Sequence, residues 1–312
     1  MMASVYKRTL PLFLAGILGV TLGFSIMSAT AGAANKKHLI TDGGPVMQSA
    51  KVYAIYWQPP TLQNGAEGTM TPRQNKLVSQ LLSDMQPGGM FKVLSQYSGY
   101  AHGRKQFVNP SQIRFGGTAF DDTAYPSSQK PCRKHSNCIT EKQMRDEITK
   151  VMSENGWKPG MDSLYLVYTD IDENVCDSSG CSNSQDGGWC GSHYNAPQNG
   201  TQLLYGVVIT PSDETCSNAE SQSPDAPYLD ATNGNMSTDG TLSTTTHEIA
   251  ETVTDPLGTG WGDVKGNEVA DVCSYSFAPF VHKTANLAVG NHLYQLSNLW
   301  DNKTNSCVSL GP

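Results

Sequence analysis

The sequence predicts a single α/β or α+β domain with a mixed sheet and an irregular, disulfide-braced C-terminal part. Three observations carry that prediction. Helical and strand patterns alternate early in the chain, turns and short strands dominate from residue 261 onward, and all eight cysteines lie beyond residue 130. About 280 residues beyond the N-terminal segment are enough for one sizeable core.

That N-terminal segment comes first. Residues 1–33 carry Lys7 and Arg8 and no acidic group, then an apolar run at 10–27, then Ala29, Thr30, Ala31, Gly32 and Ala33. A positive start, an apolar middle and an A-x-A site after Ala31 or Ala33 make a secretory signal peptide. The apolar run is near the lower limit for a membrane span, but Gly16, Gly19 and Gly23 favour cleavage over anchoring. Residues 34–312 are then a single secreted domain with no later membrane span.

Residues 51–57 (KVYAIYW) are β-branched and aromatic and read as a buried strand. Thr71-Pro72 opens a helix to about Met85, with Leu77, Leu81 and Leu82 at helical spacing. A second helix is expected over 89–97, and strands and turns over 100–120. Thr140-x-x-Gln143 is a capping box that opens a helix closed by Gly156. Residues 163–169 (SLYLVYT) and 202–210 (QLLYGVVIT) are strong strands. Between them, 172–188 is a polar loop pinned by Cys176 and Cys181, and 216–235 is a second polar loop.

Without residues 1–33 the chain holds 19 Lys+Arg against 28 Asp+Glu, because the segment removes two of the 21 basic residues. An acidic chain with no basic stripe excludes nucleic acid as a partner. The cysteines are Cys132, Cys138, Cys176, Cys181, Cys190, Cys216, Cys273 and Cys307. An even number in an exported chain predicts four disulfides, with about 105 formal pairings. The Cys132/Cys138 and Cys176/Cys181 spacings suit small local loops, and no C-x2-C pair supports a structural zinc cluster.

The chemistry concentrates at residues 241–254 (TLSTTTHEIAETVT), a helix with Asp239 or a nearby Thr or Ser as N-cap, stopped by Asp255-Pro256. His247 and Glu251 stand at i and i+4 on one face, so both can reach one ion. Glu248 is rotated by about 100°, where the middle Glu of an H-E-x-x-H helix acts as general base. Here the second histidine is replaced by Glu251. One imidazole with carboxylates favours zinc less exclusively and admits calcium or manganese. Glu268 and Asp271 (GNEVADVC) are candidate third ligands, as in the downstream Glu of thermolysin-like zinc peptidases, which makes the expected domain zincin-like. Asp255 and His193 are weaker candidates. The alternative is an exposed polar helix face with ordinary i,i+4 contacts.

Other constellations carry less. No G-x-S-x-G elbow occurs, and Gly258, Gly260 and Gly262 neither follow a strand nor open a helix. His102 reads as a turn residue, while His282 and His292 have no partner spacing. Asn199-Gly-Thr, Asn235-Met-Ser and Asn302-Lys-Thr are glycosylation acceptors in a eukaryotic secretory route.

Five segments in order resemble the EXORDIUM / phosphate-induced protein 1 family. They are Gly43-Gly44-Pro45-Val46-Met47, the strand beginning at Val52, Cys190-Gly191-Ser192-His193-Tyr194, His247-Glu248-Ile249-Ala250-Glu251 with Asp255-Pro256-Leu257, and Glu268-x-x-Asp271-x-Cys273. The Cys132/Cys138 pair and the loop at 176–188 look like departures. The resemblance implies an extracellular, cell-wall-associated protein tied to growth responses, and it brings His193 beside His247 and Glu251. Two functions are expected from these residues. One is a secreted zincin-like metallohydrolase acting on peptides, with Glu248 as base and one divalent ion, zinc before calcium. The other is a non-catalytic envelope protein that binds wall polymer or a partner, with the ion as structural support.

Overall fold

The computed structural model describes residues 38–69, 72–85, 89–127, 138–171, 173–178, 180–182, 189–210, 216 and 230–310. The expected signal peptide, the Thr71 cap, Cys132 and most of the two polar loops lie outside them. Residues 37–312 form one compact unit. Among the described residues no helix is long and apolar enough to cross a membrane.

The sheet uses five strands: β1 (Ala50–Trp57), β2 (Ile113–Asp121), β3 (Ser163–Tyr168), β4 (Gly191–Gln198) and β5 (Thr201–Val208). Their order is β2-β1-β3-β5-β4, with β4 antiparallel at one edge and the other pairs parallel. The mixed α/β architecture expected from the sequence is thus present. Helix α1 (Pro72–Asp84) connects β1 to β2, and α2 (Glu141–Asn155) connects β2 back across β1 to β3. These connections run in opposite directions, so the right-handed crossover rule places their helices on opposite faces.

The core divides accordingly. Val52, Ala54 and Tyr56 of β1 face α1 and the third helix, α3 (Met236–Thr254), whereas Ile55 and Trp57 face α2. Apolar residues therefore run without alternation along β1, β3 and β5, as expected for strands covered on both faces. Helix α2 follows its local signals closely. Thr140 Oγ1 accepts the Gln143 N–H, the Gln143 side chain accepts the Thr140 N–H at 2.8 Å, and Gly156 closes the helix with φ 68°.

Helix α3 departs from expectation at its start. It begins at Met236 with Asn235 as N-cap, whose Oδ1 accepts the Thr238 N–H at 2.6 Å. Asp239 sits inside the first turn and instead accepts the N–H groups of Thr232 and Asn233. Asn235 is thus a helix cap, with its amide engaged. The helix is rich in threonine yet almost wholly buried. Thr241, Thr245, Thr252 and Thr254 each return the hydroxyl to the carbonyl four residues back, and Thr241 and Thr245 also meet Gln74 of α1 and Tyr168 of β3. Asp255 ends the helix, as the following proline requires.

The helix expected over 89–97 is a short 3-10 turn at Lys92–Gln96. Phe91 precedes it at φ 68°, with its N–H on the Leu310 carbonyl, so a long-range bond breaks the helical path. In the predicted loop at 172–188, Asn174–Cys176 pairs in parallel with Cys138–Thr140. His102 is a turn residue between the strands Ser98–Ala101 and Arg104–Phe107. His292, which has no partner by spacing, has its Nδ1 2.7 Å from Asp84 Oδ2 of α1 and so ties the C-terminal part to the helix layer.

Three disulfides join Cys176–Cys181, Cys190–Cys216 and Cys273–Cys307. Cys138 is also disulfide-bonded. The C-terminal part is irregular as expected, with short hairpins Leu287–Val289/His292–Tyr294 and Leu299–Asp301/Ser306–Val308.

Candidate metal centre

Three segments meet over the C-terminal half of α3. The first is β4, which begins at Gly191 and runs antiparallel to β5 through the turn at Asn199 and Gly200, both at positive φ. Asn-Gly between two strands is a strong hairpin signal, and it was the available clue to a strand that GSHYNAPQ conceals. Alternation along β4 sends Tyr194 to the α2 side, stacked on Tyr205 at 5.2 Å, and His193 to the opposite side over α3. Pro197 is tolerated because β4 is an edge strand.

Gly191 is needed for the approach of β4 to α3. A Cβ there would lie 2.4 Å from Glu248 Oε1 and 2.5 Å from Thr244 Cγ2. The second segment is α3 itself. Its i,i+4 geometry holds as expected, with His247 Nε2 3.1 Å from Glu251 Oε2. The third is the stretch from Glu268 to Cys273, anchored by the Cys273–Cys307 disulfide and by the Trp300 N–H on the Val269 carbonyl.

All five candidate ligands come together. Glu251 is the hub, with Oε2 also 4.0 Å from His193 Nε2 and Oε1 accepting the Asp271 N–H at 3.0 Å. Glu268 Oε1 lies 3.3 Å from His193 Nε2, and Asp271 Oδ1 lies 3.4 Å from His247 Nε2. Two overlapping triads result, His193/Glu251/Glu268 and His247/Glu251/Asp271, each with donor atoms within 4.8 Å of one another. Glu248 stands beside them, 2% exposed, with Oε2 buried and unpartnered. Glu268 Oε2 is likewise buried without a partner. Asp255 lines the same cavity but spends Oδ1 on the N–H groups of Thr259 and Gly260. The exposed-face alternative does not hold, since Glu248 and Glu251 are both buried.

The electrostatics are one-sided. A cavity of about 330 Å³ is lined by five carboxylates and two imidazoles, with no lysine or arginine among its lining residues. Burial opposes protonation of His193, but its hydrogen bond to Glu268 and the surrounding carboxylates raise it to about 9. His247 is pushed well above the ordinary range, with burial outweighed by the Glu251 charge and the Asp271 hydrogen bond. Burial lifts Glu248 to about 8, opposed by His247 and reinforced by Glu251. Burial lifts Glu268 to about 7 against the hydrogen bond from His193. For Asp271 burial also acts upward, yet the His247 hydrogen bond outweighs it and holds the carboxyl below its usual value. Carboxyls whose ionisation burial opposes, and two carboxylate oxygens with no donor, describe a donor set suited to a divalent cation.

Sequence reasoning missed a second hollow that adjoins this one. It has a volume of about 220 Å³ and shares Gly191, His247, Glu248 and Asp271 with the first. Trp189, the Cys190–Cys216 disulfide, Ser243 and Ser297 complete part of its wall.

Comparison with known protein families finds a match. The phosphate-induced protein 1 conserved region matches residues 128–310. The β4, α3 and Glu268–Cys273 segments of the resemblance fall within that stretch, whereas residues 43–47 and β1 precede it. No curated protein and no solved structure matches the chain.

Proposed function

The chain belongs to the phosphate-induced protein 1 family, and from that premise we propose that it is a secreted, zincin-like, metal-dependent hydrolase that cuts peptides. One observation carries the reading: two imidazoles and three carboxylates converge beside the buried Glu248, whose Oε2 has no partner, in a cavity without a lysine or arginine among its lining residues. Either triad would hold a cation, His193/Glu251/Glu268 or His247/Glu251/Asp271, with Glu251 common to both. An imidazole in each favours zinc over calcium, which prefers an all-oxygen set. A bound divalent cation supplies Lewis-acid polarisation of a scissile carbonyl and of the attacking water.

The remaining work falls to side chains and backbone. Glu248 is offset from the ligand face of α3 and would take a proton from the attacking water and return it to the leaving amine. Asp271 Oδ1 and Glu268 Oε1 face the same Nε2 atoms that Glu251 faces, so they would serve as oxygen ligands beside the imidazoles and not as partners of the far ring nitrogens. Strand β4 flanks the cavity, and among the described residues no strand pairs with its outer edge. An extended peptide could add there through main-chain hydrogen bonds. The disulfides fit an oxidising compartment, consistent with export.

A second reading has its own support. Each triad draws its donors from the protein alone, and sites closed by protein ligands are structural, so the ion would brace a protein that binds envelope polymer. Paired variants separate the two. Glu251→Ala should lose the cation, read by elemental analysis of protein purified without chelator, and should lose the stability that the cation gives. Glu248→Gln should keep the cation and lose turnover of a peptide library. Retention of full turnover in Glu248→Gln removes Glu248 as the base. A wild type with bound cation and no turnover supports the structural reading, and a wild type that takes up no cation sinks both.

A further inference from the structure

We infer that the hairpin Ser98–Ala101/Arg104–Phe107 is the docking surface for an acidic polysaccharide, a chain of sugar units that carry carboxylates. The inference rests on neither reading of the metal centre. The hollow beside the hairpin shares no lining residue with the metal cavity.

Charge is unevenly spread along the chain. The net charge is −7, yet residues 85–120 contain Lys92, Arg104, Lys105 and Arg114 and no aspartate or glutamate. Arg104, Lys105 and Arg114 are exposed, as is Lys51. Among the described residues none of these four stands in an ion pair. The fold gathers them. Lys51 and Arg114 are register partners at the start of β1 and β2, and the Asn109 N–H on the Gln48 carbonyl ties the end of the hairpin to the entry of β1. An acidic protein that keeps unpaired cations on an acid-free stretch complements an anionic partner.

The rings decide which anion. Tyr100 is 55% and Phe107 50% exposed. The register sets Tyr100 opposite Lys105 and Ser98 opposite Phe107, so these side chains share one face of the hairpin. Lys105 Nζ lies 5.1 Å from the Phe107 ring centroid. Two reachable rings with cations beside them match a chain whose units offer a flat C–H face and a carboxylate. Acidic peptide side chains would match the charge but give the rings no flat apolar face. The surface is held in place before any ligand arrives. A Cβ on Gly99 would lie 2.2 Å from the Gly44 carbonyl oxygen, and the Trp261 indole donates to the Ser98 carbonyl at 2.8 Å. Binding there costs little ordering. Tyr100 also walls the adjoining hollow of about 480 Å³, within the roughly 300–1,000 Å³ of small-molecule sites. Asp162 is the one acidic residue of that wall, so the carboxylates of the ligand run along Arg104 and Lys105 and not into the hollow.

The test is calorimetry of the full secreted protein with polygalacturonate, its methyl ester and poly-glutamate. The ester keeps the sugar faces without the charge, and poly-glutamate keeps the charge without the sugar faces. Polygalacturonate should bind, and more weakly as salt rises. The ester and poly-glutamate should each bind about five-fold or more weakly. Arg104→Gln with Lys105→Gln should weaken polygalacturonate about five-fold or more, and Arg104→Lys with Lys105→Arg should restore most of the loss. Tyr100→Ser with Phe107→Ser should weaken it about ten-fold. Urea unfolding of each variant checks that the fold is kept. No binding of polygalacturonate overturns the proposal, as does binding unchanged in both the Gln and the Ser pairs. Equal binding of the ester overturns the role of the cations. Equal binding of poly-glutamate makes the partner an acidic peptide and overturns the polysaccharide. Binding that a chelator abolishes places the polymer on the metal centre and overturns the surface.

Discussion

Replacing Glu173 by glutamine should change how stability depends on pH, by an amount that follows from its surroundings. Glu173 follows β3, is 2% exposed, and has both carboxylate oxygens buried without a partner. Burial, reinforced by Asp170, raises its pKa from 4.5 to about 8. A raised folded-state value means that the folded chain keeps a proton which the unfolded chain releases. The stabilisation is complete below about pH 4.5, falls as pH rises, and is lost once pH passes about 8. Each pH unit in that window costs about 1.4 kcal/mol, so roughly 3 kcal/mol is gone by pH 7. Glutamine is uncharged throughout and removes this one proton from the balance. Urea unfolding of both proteins at several pH values between 5 and 8 reads the effect. The stability of Glu173→Gln relative to wild type should climb by about 1.4 kcal/mol per pH unit. Glu147, also raised to about 8 by burial and by Asp121, contributes equally to both proteins and cancels. Two parallel pH profiles would refute the reasoning, because they would mean that Glu173 ionises alike in both states.

Gly191→Ala should keep the cation but lose about 100-fold in turnover, since its Cβ would collide with Glu248 Oε1 and displace the base; peptide kinetics with elemental analysis check both halves. Replacing Cys273 and Cys307 together by alanine opens a loop spanning 34 residues and should cost about 4 kcal/mol in urea unfolding. The same variant should hold the cation more weakly, because the Glu268–Asp271 stretch loses its anchor, and competition with a chelator measures that.

What the sequence revealed, and what it concealed, divides by the range of the interaction. Helix α2 is legible from Thr140, Gln143 and Gly156 alone, because a capping box and a left-handed glycine are local devices. Strands β1, β3 and β5 are legible because burial on both faces leaves unbroken apolar runs. The first turn of α3 is not, since Gly240 and its hydroxyl-rich neighbours read as loop until the sheet buries them. Residues 89–97 mislead for the converse reason, because the Leu310 carbonyl captures Phe91 from far along the chain. At the site, the His247–Glu251 pair is encoded by helical spacing, and Glu268 and Asp271 lie close enough downstream to be candidates. His193 is different. Its place depends on strand pairing between β4 and β5, and no spacing rule within a helix reaches it. Trp189 and Ser297 were beyond reach, because only the folded C-terminal part brings them to one wall.

The donors of the metal centre enter in chain order from β4, from α3, and last from Glu268 and Asp271. That final pair is held by a disulfide whose second half is Cys307. Both members of that pair are therefore anchored only after Cys307 has been made and oxidised. On the proposed function, capture of a cation would follow that oxidation, and the compartment where Cys307 finds Cys273 would decide which ion the site meets.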